Sequence, residues 1–400
     1  MSALYLFDDE RARAFEPFAL TRPMSAMRVG AMLVRDRWTR LQGAPPAGAI
    51  AAPAHEDFEE DGAPSGARDL PAGAIVANTR CAMSLAAKLP DADVWMCDGR
   101  VAAVKLERGV RGSVLADGRV PLEELARDGG SVVTVQGRWV EEVWHLITDL
   151  LAQLVDDIAT LGPELSCDTP PHVTVIGPHP AFIERGAVVE PYVVVDVSAG
   201  PVLIRRGATV RAFTRVVGPC SVDGGATILG GRVHACSIGA GSIIHGEISE
   251  TVVIGHSNKS HDGFVGHSYL GRWVNLGAGT ITSNLKNTYG SVPMWTPDGM
   301  RDTGVQKIGT LFGDHVKTGI GLRLTTGTVV GAGSNIFGGS TPPKYVPPFS
   351  WGEGQSSGTY QIDKFLEVAG RAMARRQVAI SERARQHLKR AFERAQQEQG

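Results

Sequence analysis

Residues 204–228 read IRRGAT-VRAFTR-VVGPCS-VDGGAT-I, which puts Ile204, Val210, Val216, Val222 and Ile228 at every sixth position. A strand alternates with a period of two, and a helix returns about every 3.6 residues. A six-residue return with small residues or glycine in between is neither. It predicts a parallel β-helix: each hexad forms one flat face, its apolar residue points into a narrow prism, and the small residues turn the chain. The same interval separates Ile183, Val189 and Val195, then Ile238 and Ile244, Leu270 and Leu276, and Leu324, Val330 and Ile336. Hexapeptide helices of this kind are left-handed, an exception to the usual right-handed crossover. The repeat places the β-helix at residues 172–345, and residues 284–306 break the period as a loop projecting from one coil.

On either side the pattern changes. Residues 1–165 read as a mixed α/β domain. Leu4–Phe7 is a short strand ending in Asp8-Asp9, and helical patterns fall near 25–41 and 140–161. Residues 43–75, rich in Ala, Pro and Gly with acidic residues at 56–61, read as a linker. Residues 361–397 read as a basic helical tail, in which Ser381 is placed to cap a helix starting at Glu382. The tail reads as a solvated cover for the β-helix end, and its basic face also suits phosphate contact.

The 400 residues carry 40 Lys plus Arg against 42 Asp plus Glu, a net charge of −2. Nucleic-acid or anionic-membrane surfaces need a basic excess and are therefore not expected. No apolar run is long enough for a membrane span. The five cysteines are scattered without metal-ligand spacing, which fits reduced thiols and a cytoplasmic location.

The densest chemistry lies at 256–284, where His256, Lys259, His261, His267, Asn275 and Asn284 interrupt an apolar repeat. Such polar groups must project outward or find partners, because burying them unpaired costs a few kcal/mol. A neutral imidazole takes a proton from an amine or hydroxyl near neutral pH, and amides position a sugar or an oxyanion. Gly277-Ala278-Gly279 allows either a tight corner or close approach of a thin cofactor.

The string SNKSHDGFVGHSYLGRWVNLGAGTITSNLKNTYG at 257–290, with the opening LFDD…FEPFALTRPMSAMRVG, resembles a GlmU-like family of sugar nucleotidyltransferases. The segment GFVGHSYLGRWVNLGAGTITSN is also similar to the acetyltransferase half of the bifunctional N-acetylglucosamine-1-phosphate uridyltransferase/glucosamine-1-phosphate acetyltransferases. The resemblance implies a homotrimer of β-helices with acetyl-CoA in the groove between subunits. It further implies a His as general base, which is His261 when aligned on the VN-x-GAGT string, with His267 as the rival. Phe264, Asn275 and Asn284 then fall in the sugar site with Lys259 beside them, and Gly277, Ala278, Gly279 and Ala332 fall on the CoA channel. Phe264 stands where those enzymes carry Tyr, and Ser249 where they carry Lys.

For the first domain the resemblance implies nucleotidyl transfer between an NTP and a sugar 1-phosphate with Mg²⁺. The Gly-rich phosphate loop is reduced to Thr21-Arg22-Pro23. Arg22 and Arg28 remain as candidate phosphate ligands, and Asp8 and Asp98 as candidate Mg²⁺ ligands. Three readings stay open. One is an acyltransferase joined to a nucleotidyltransferase-like domain, acting on sugar phosphates or nucleotide sugars. A second is a nucleotidyltransferase whose β-helix only trimerises. The third is a non-catalytic trimeric binder of sugars or nucleotides.

Overall fold

The computed structural model describes residues 2–353 and 358–399. The chain divides into two compact units, 1–143 with 381–391 and 144–380 with 392–400.

The first unit is built on a six-stranded mixed sheet. Its strand order is Val132–Thr134, Val94–Cys97, Arg100–Lys105, Ile75–Asn78, Leu4–Phe7 and Gly48–Ile50. Leu4–Phe7 runs parallel to both of its neighbours, and Phe7, Val76, Val101 and Val104 lie in the core on one side. Two expectations are corrected here. The stretch 27–33 is not helical, because after a single 3₁₀ turn at Met24–Ala26 the strands Arg28–Val29 and Met32–Leu33 form a tight hairpin around Gly30, and helix α1 begins only at Val34 (Val34–Gln42). The stretch 43–75 is not a plain linker, because Gly48–Ile50 completes the sheet. A side chain at Gly48 would strike Ala67 Cβ at 2.9 Å. The acidic residues of this stretch pair with the segment 381–391, Asp57 and Glu59 meeting Arg390 at 2.8 Å and Ser381 at 2.6 Å respectively.

The second unit is a parallel β-helix with three faces. Face A contains Thr174–Ile176, Val194–Asp196, Thr214–Val217 and Phe264–Gly266. Face B is a nine-stranded ladder from Ala181–Ile183 to Tyr345–Val346. Face C contains Val188–Val189, Thr209–Val210, Asn258–Lys259, Lys317–Thr318 and Asn335–Ile336. Two long strands, Thr227–His234 and Ile243–Ser249, bend across the C–A corner and serve both faces. The hexad residues rotate through the faces as the period requires. Ile204, Val210, Val216, Val222 and Ile228 are all fully buried, on faces B, C, A, B and C.

Helices α2 (His145–Thr148) and α3 (Leu150–Leu161) pack within this compact unit. Leu150, Leu154, Ile158 and Leu161 are buried, and an added side chain at Gly162 would meet the Phe182 ring at 2.2 Å. The expected loop at 284–306 contains a hairpin, Pro293–Thr296 with Gly299–Asp302. Met294 is buried and Trp295 stacks on Tyr345 at 3.6 Å, so the hairpin packs on the β-helix rather than standing clear of it. Helix α4 (Ile362–Ala374) sets Phe365 against Phe349. Helix α5 (Glu382–Gln399) starts under the expected cap, with Ala384 N donating to Ser381 Oγ at 3.0 Å.

All five cysteines are free thiols, and among the described residues no helix is long and apolar enough to cross a membrane.

Ile238 lies fully buried in the middle of the prism. Truncating Ile238→Ala is expected to cost about 2–5 kcal/mol, because close-packed neighbours collapse only partly into the space. Arg211→Ala on the outside is expected to change stability by less than about 1 kcal/mol. Urea denaturation of the two variants checks both values.

Candidate functional site

The corner between faces C and A gathers the first group. Lys259 occupies an inward position on face C, in register with Ile244, and is 1% exposed. Its ammonium rises from inside the prism and donates to the carbonyls of His245 at 3.0 Å and His261 at 2.6 Å. Burial pushes this lysine down to about 8. The expectation that Lys259 binds substrate is therefore corrected: inside the prism it braces the backbone that carries His261. The His261 side chain is exposed and has no partner among the described residues. Beside it, His245 Nδ1 lies 3.3 Å from Asp262 Oδ1.

One coil later the same corner is formed by Gly277–Gly279. Gly277 N donates to Thr318, and Gly279 N to the carbonyl of Asp262. A side chain at Gly277 would meet the Gly319 backbone at 2.6 Å, and Gly279 has a φ of +71°. These two glycines are thus required by coil stacking and by the turn. Between them, the Ala278 N–H has no partner among the described residues.

The second group lies at the corner between faces A and B. Glu250, His267 and Asn284 occupy the same corner position in three successive coils, seventeen residues apart. Glu250 and His267 both have positive φ, +46°. Asn284 Nδ2 donates to His267 Nδ1 at 2.9 Å, which leaves Nε2–H to donate to Glu250 Oε2 at 3.1 Å. The hydrogen bond from His267 holds the Glu250 carboxyl below its usual range. With both ring nitrogens engaged and 8% of its surface exposed, His267 orients Asn284 and is not placed to serve as a base. Phe264 reaches toward the same amide. A side chain at Gly266 would strike its ring at 2.4 Å and the Asn284 amide at 2.9 Å, so both groups fold over that glycine.

Asn275 is elsewhere. It is exposed on face C, where its Oδ1 accepts from Asn258 Nδ2 at 2.9 Å. Ala332 sits at the B–C corner, 1% exposed, in a turn covered by the rings of Phe349 and Phe365. Within one chain, therefore, His261 and the 277–279 turn share one corner, Phe264 and Asn284 meet near a second, and Asn275 and Ala332 belong to neither.

In the first unit the expected phosphate and metal ligands are used by the fold. Arg22 is buried and donates to Glu60 at 2.8 Å and to the carbonyl of Ala26 at 3.2 Å. Arg28 is buried and donates to the carbonyl of Ala31 at 2.8 Å. Asp8 is buried, accepts from Thr79 Oγ1 at 2.6 Å and Met24 N at 3.0 Å, and is pushed up to about 6 by burial. Asp98, φ +48°, begins the two-residue turn with Gly99 that joins Val94–Cys97 to Arg100–Lys105. No group of three or more metal-ligating side chains occurs among the described residues. Arg22, Arg28 and Asp8 are thus committed to the fold, whereas Asp98 stands exposed in its turn. An open cavity of about 290 Å³ lies instead at the end of Leu4–Phe7, lined by Asp9, Arg11, Asn78, Arg100, Arg119 and Trp139. Arg100 lies 4.0 Å over the Trp139 ring.

Sequence reading missed His245, Glu250 and the arginines of this cavity. The interval of seventeen between Glu250, His267 and Asn284 was the available signal for the second.

The fold defines a class of architecture, a mixed α/β domain followed by a three-faced parallel β-helix. Residues 4–164 match the family described as sugar nucleotidyl transferase. The chain is 30% identical over 204 residues to the bifunctional protein GlmU of Desulfitobacterium hafniense, covering 44% of this chain and 40% of that protein. It is 33% identical over 94 residues to a bifunctional sugar-1-phosphate nucleotidylyltransferase/acetyltransferase of Sulfurisphaera tokodaii, covering 24% and 23%. An Arabidopsis UDP-N-acetylglucosamine acyltransferase structure aligns at 16% identity over 52% of this chain and 78% of that one, with a TM-score of 0.25, too low to bear on function. The chain is thus similar to GlmU-type proteins at modest identity, and it spans less than half the length of these two relatives.

The Glu250–His267 contact has a pH signature. A carboxyl held below its ordinary value stabilises the fold above that value and loses the contribution as pH falls through the lowered one. Glu250→Gln is therefore expected to flatten the loss of stability of the β-helix below about pH 4.5, the ordinary glutamate value. Urea midpoints measured between neutral pH and pH 3 provide the check.

Proposed function

We propose that the β-helix transfers an acetyl group from acetyl-CoA to an amine or hydroxyl of a sugar phosphate or nucleotide sugar, with His261 as general base. The observation that carries this reading is an exposed, unpartnered imidazole one coil before a turn whose Ala278 N–H is also unpartnered. In this reading the neutral His261 ring removes the proton from the acceptor as its nitrogen or oxygen attacks the thioester carbonyl. The new acyl bond forms, the C–S bond breaks, and the thiol leaves. Lys259 keeps the His261 backbone in place from within, and Asn284, set by His267 and Glu250, offers an amide to the sugar beside Phe264. Asn275 and Ala332 lie on other parts of the same chain.

The match of residues 4–164 favours a second activity in the first unit, nucleotidyl transfer from an NTP to a sugar 1-phosphate. With Arg22 and Arg28 committed to the fold, the cavity bearing Arg11, Arg100 and Arg119 is the candidate for nucleotide phosphates, which would compete there with the carboxylates now paired to these arginines. No step through Mg²⁺ is assigned to it.

The test supplies acetyl-CoA, each NTP and a panel of hexose and hexosamine 1-phosphates, and follows free thiol and pyrophosphate separately. Thiol release is expected, and His261→Ala is expected to lower it by ~10²–10⁴-fold with an unchanged thermal midpoint. Full turnover in that variant removes His261 as the base. Pyrophosphate release that fails in Arg119→Ala supports the second activity, and no release with any substrate pair retires it. Ligand binding without either product leaves the non-catalytic reading.

A further inference from the structure

A cavity of about 350 Å³ lies between face C and helix α4, wholly within the second unit. Its walls are Asn258, Trp273, Asn275 and Lys317 from the β-helix, and Arg371, Arg375 and Arg376 from the end of α4. No aspartate or glutamate lines it. Of the four cations, only Arg371 has a carboxylate partner among the described residues, Glu367 at 2.5 Å. Lys317 and Arg376 are half-buried, and neither has a hydrogen-bond or ion-pair partner among the described residues. Both are pushed below their ordinary values by burial, Lys317 to about 8, and Arg376 is lowered further by Arg375 alongside. Holding two half-buried cations beside an exposed third without a counter-charge is unfavourable for the empty protein. A polyanion relieves that cost, and guanidinium forks match phosphate oxygens.

We propose that the cavity between face C and α4 binds a ligand carrying two linked phosphate groups, held by Lys317, Arg375 and Arg376 with the Asn258 and Asn275 amides beside them. Two phosphates rather than one are called for because the cations come from opposite walls, and a single phosphate reaching one wall leaves the other unpaired. The proposal rests on the cavity and its charge, not on the acyl-transfer reading, and it uses no part of His261.

The experiment titrates inorganic pyrophosphate into the full chain by calorimetry, at low and high salt. Binding that weakens with salt is expected. Arg376→Ala and Lys317→Met are each expected to weaken it about tenfold or more, whereas Lys364→Ala, on α4 but outside the cavity, leaves it unchanged. Lys317→Met is also expected to keep or raise the thermal midpoint, because it removes a half-buried charge at similar volume. That result separates lost binding from lost folding. Absence of pyrophosphate binding, or an affinity in both cavity variants unchanged from that of the unsubstituted chain, overturns the proposal. Inorganic phosphate bound as tightly as pyrophosphate overturns the two-phosphate requirement. Displacement by coenzyme A identifies its diphosphate as the source, and displacement by a nucleoside diphosphate sugar identifies that instead.

Discussion

The inward stacking of one apolar residue per face and coil is the constraint on which the second unit depends. The narrow prism takes a Val, Ile or Leu from most hexads and Phe312 in one coil, and these residues are buried from Ile204 to Val330. Chemistry is therefore confined to outward positions and corners, since nothing polar fits inside without a partner. Lys259 shows what an exception requires. It is the one lysine on the inward ladder of face C, and its ammonium is satisfied by two carbonyls at a corner. Its cost, visible in a lysine lowered to about 8, is borne where the backbone of His261 must be held.

Because coils stack in register, residues one coil apart become neighbours, and the corners act as short columns of side chains. Glu250, His267 and Asn284 form one such column. His261 and Asp262 stand over Ala278 and Gly279 in another, linked by the bond from Gly279 N to the Asp262 carbonyl. A site of this kind is positioned by backbone stacking first and by side-chain bonds second, and it places functional groups on rigid elements.

This geometry also explains what was legible in the sequence. The β-helix was readable because a strict six-residue period has no competing interpretation, and each hexad residue from Ile183 to Ile336 takes the inward place the period assigns. The α/β domain was readable only in outline. Gly48–Ile50 is three residues long and lies in an Ala/Gly/Pro-rich stretch, so its strand character comes from pairing with Leu4–Phe7, not from local pattern. Polar residues were harder still. A period says whether a residue points inward, but not whether an inward lysine finds carbonyls or whether a histidine's two nitrogens are already occupied. Lys259 and His267 were misread for that reason. Arg22, Arg28 and Asp8 were misread because burial and a long-range partner such as Glu60 or Thr79 leave no local trace.

The hairpin at 293–302 lies within the single long excursion between Ile281–Thr282 and Thr310–Phe312. Tyr269 and Leu270 still pair with Leu311 and Phe312, as if the intervening chain were an ordinary corner. In the language of polymer loops, the solenoid has been lengthened without being interrupted. Closure entropy grows only with the logarithm of loop length, so replacing a corner of about three residues by about twenty-seven costs ~2 kcal/mol. The buried Met294 and the stacked Trp295 offset a cost of that size. A corner of this β-helix is thus a place where new chain can be spliced in cheaply, because the ladders on either side carry the register across the gap.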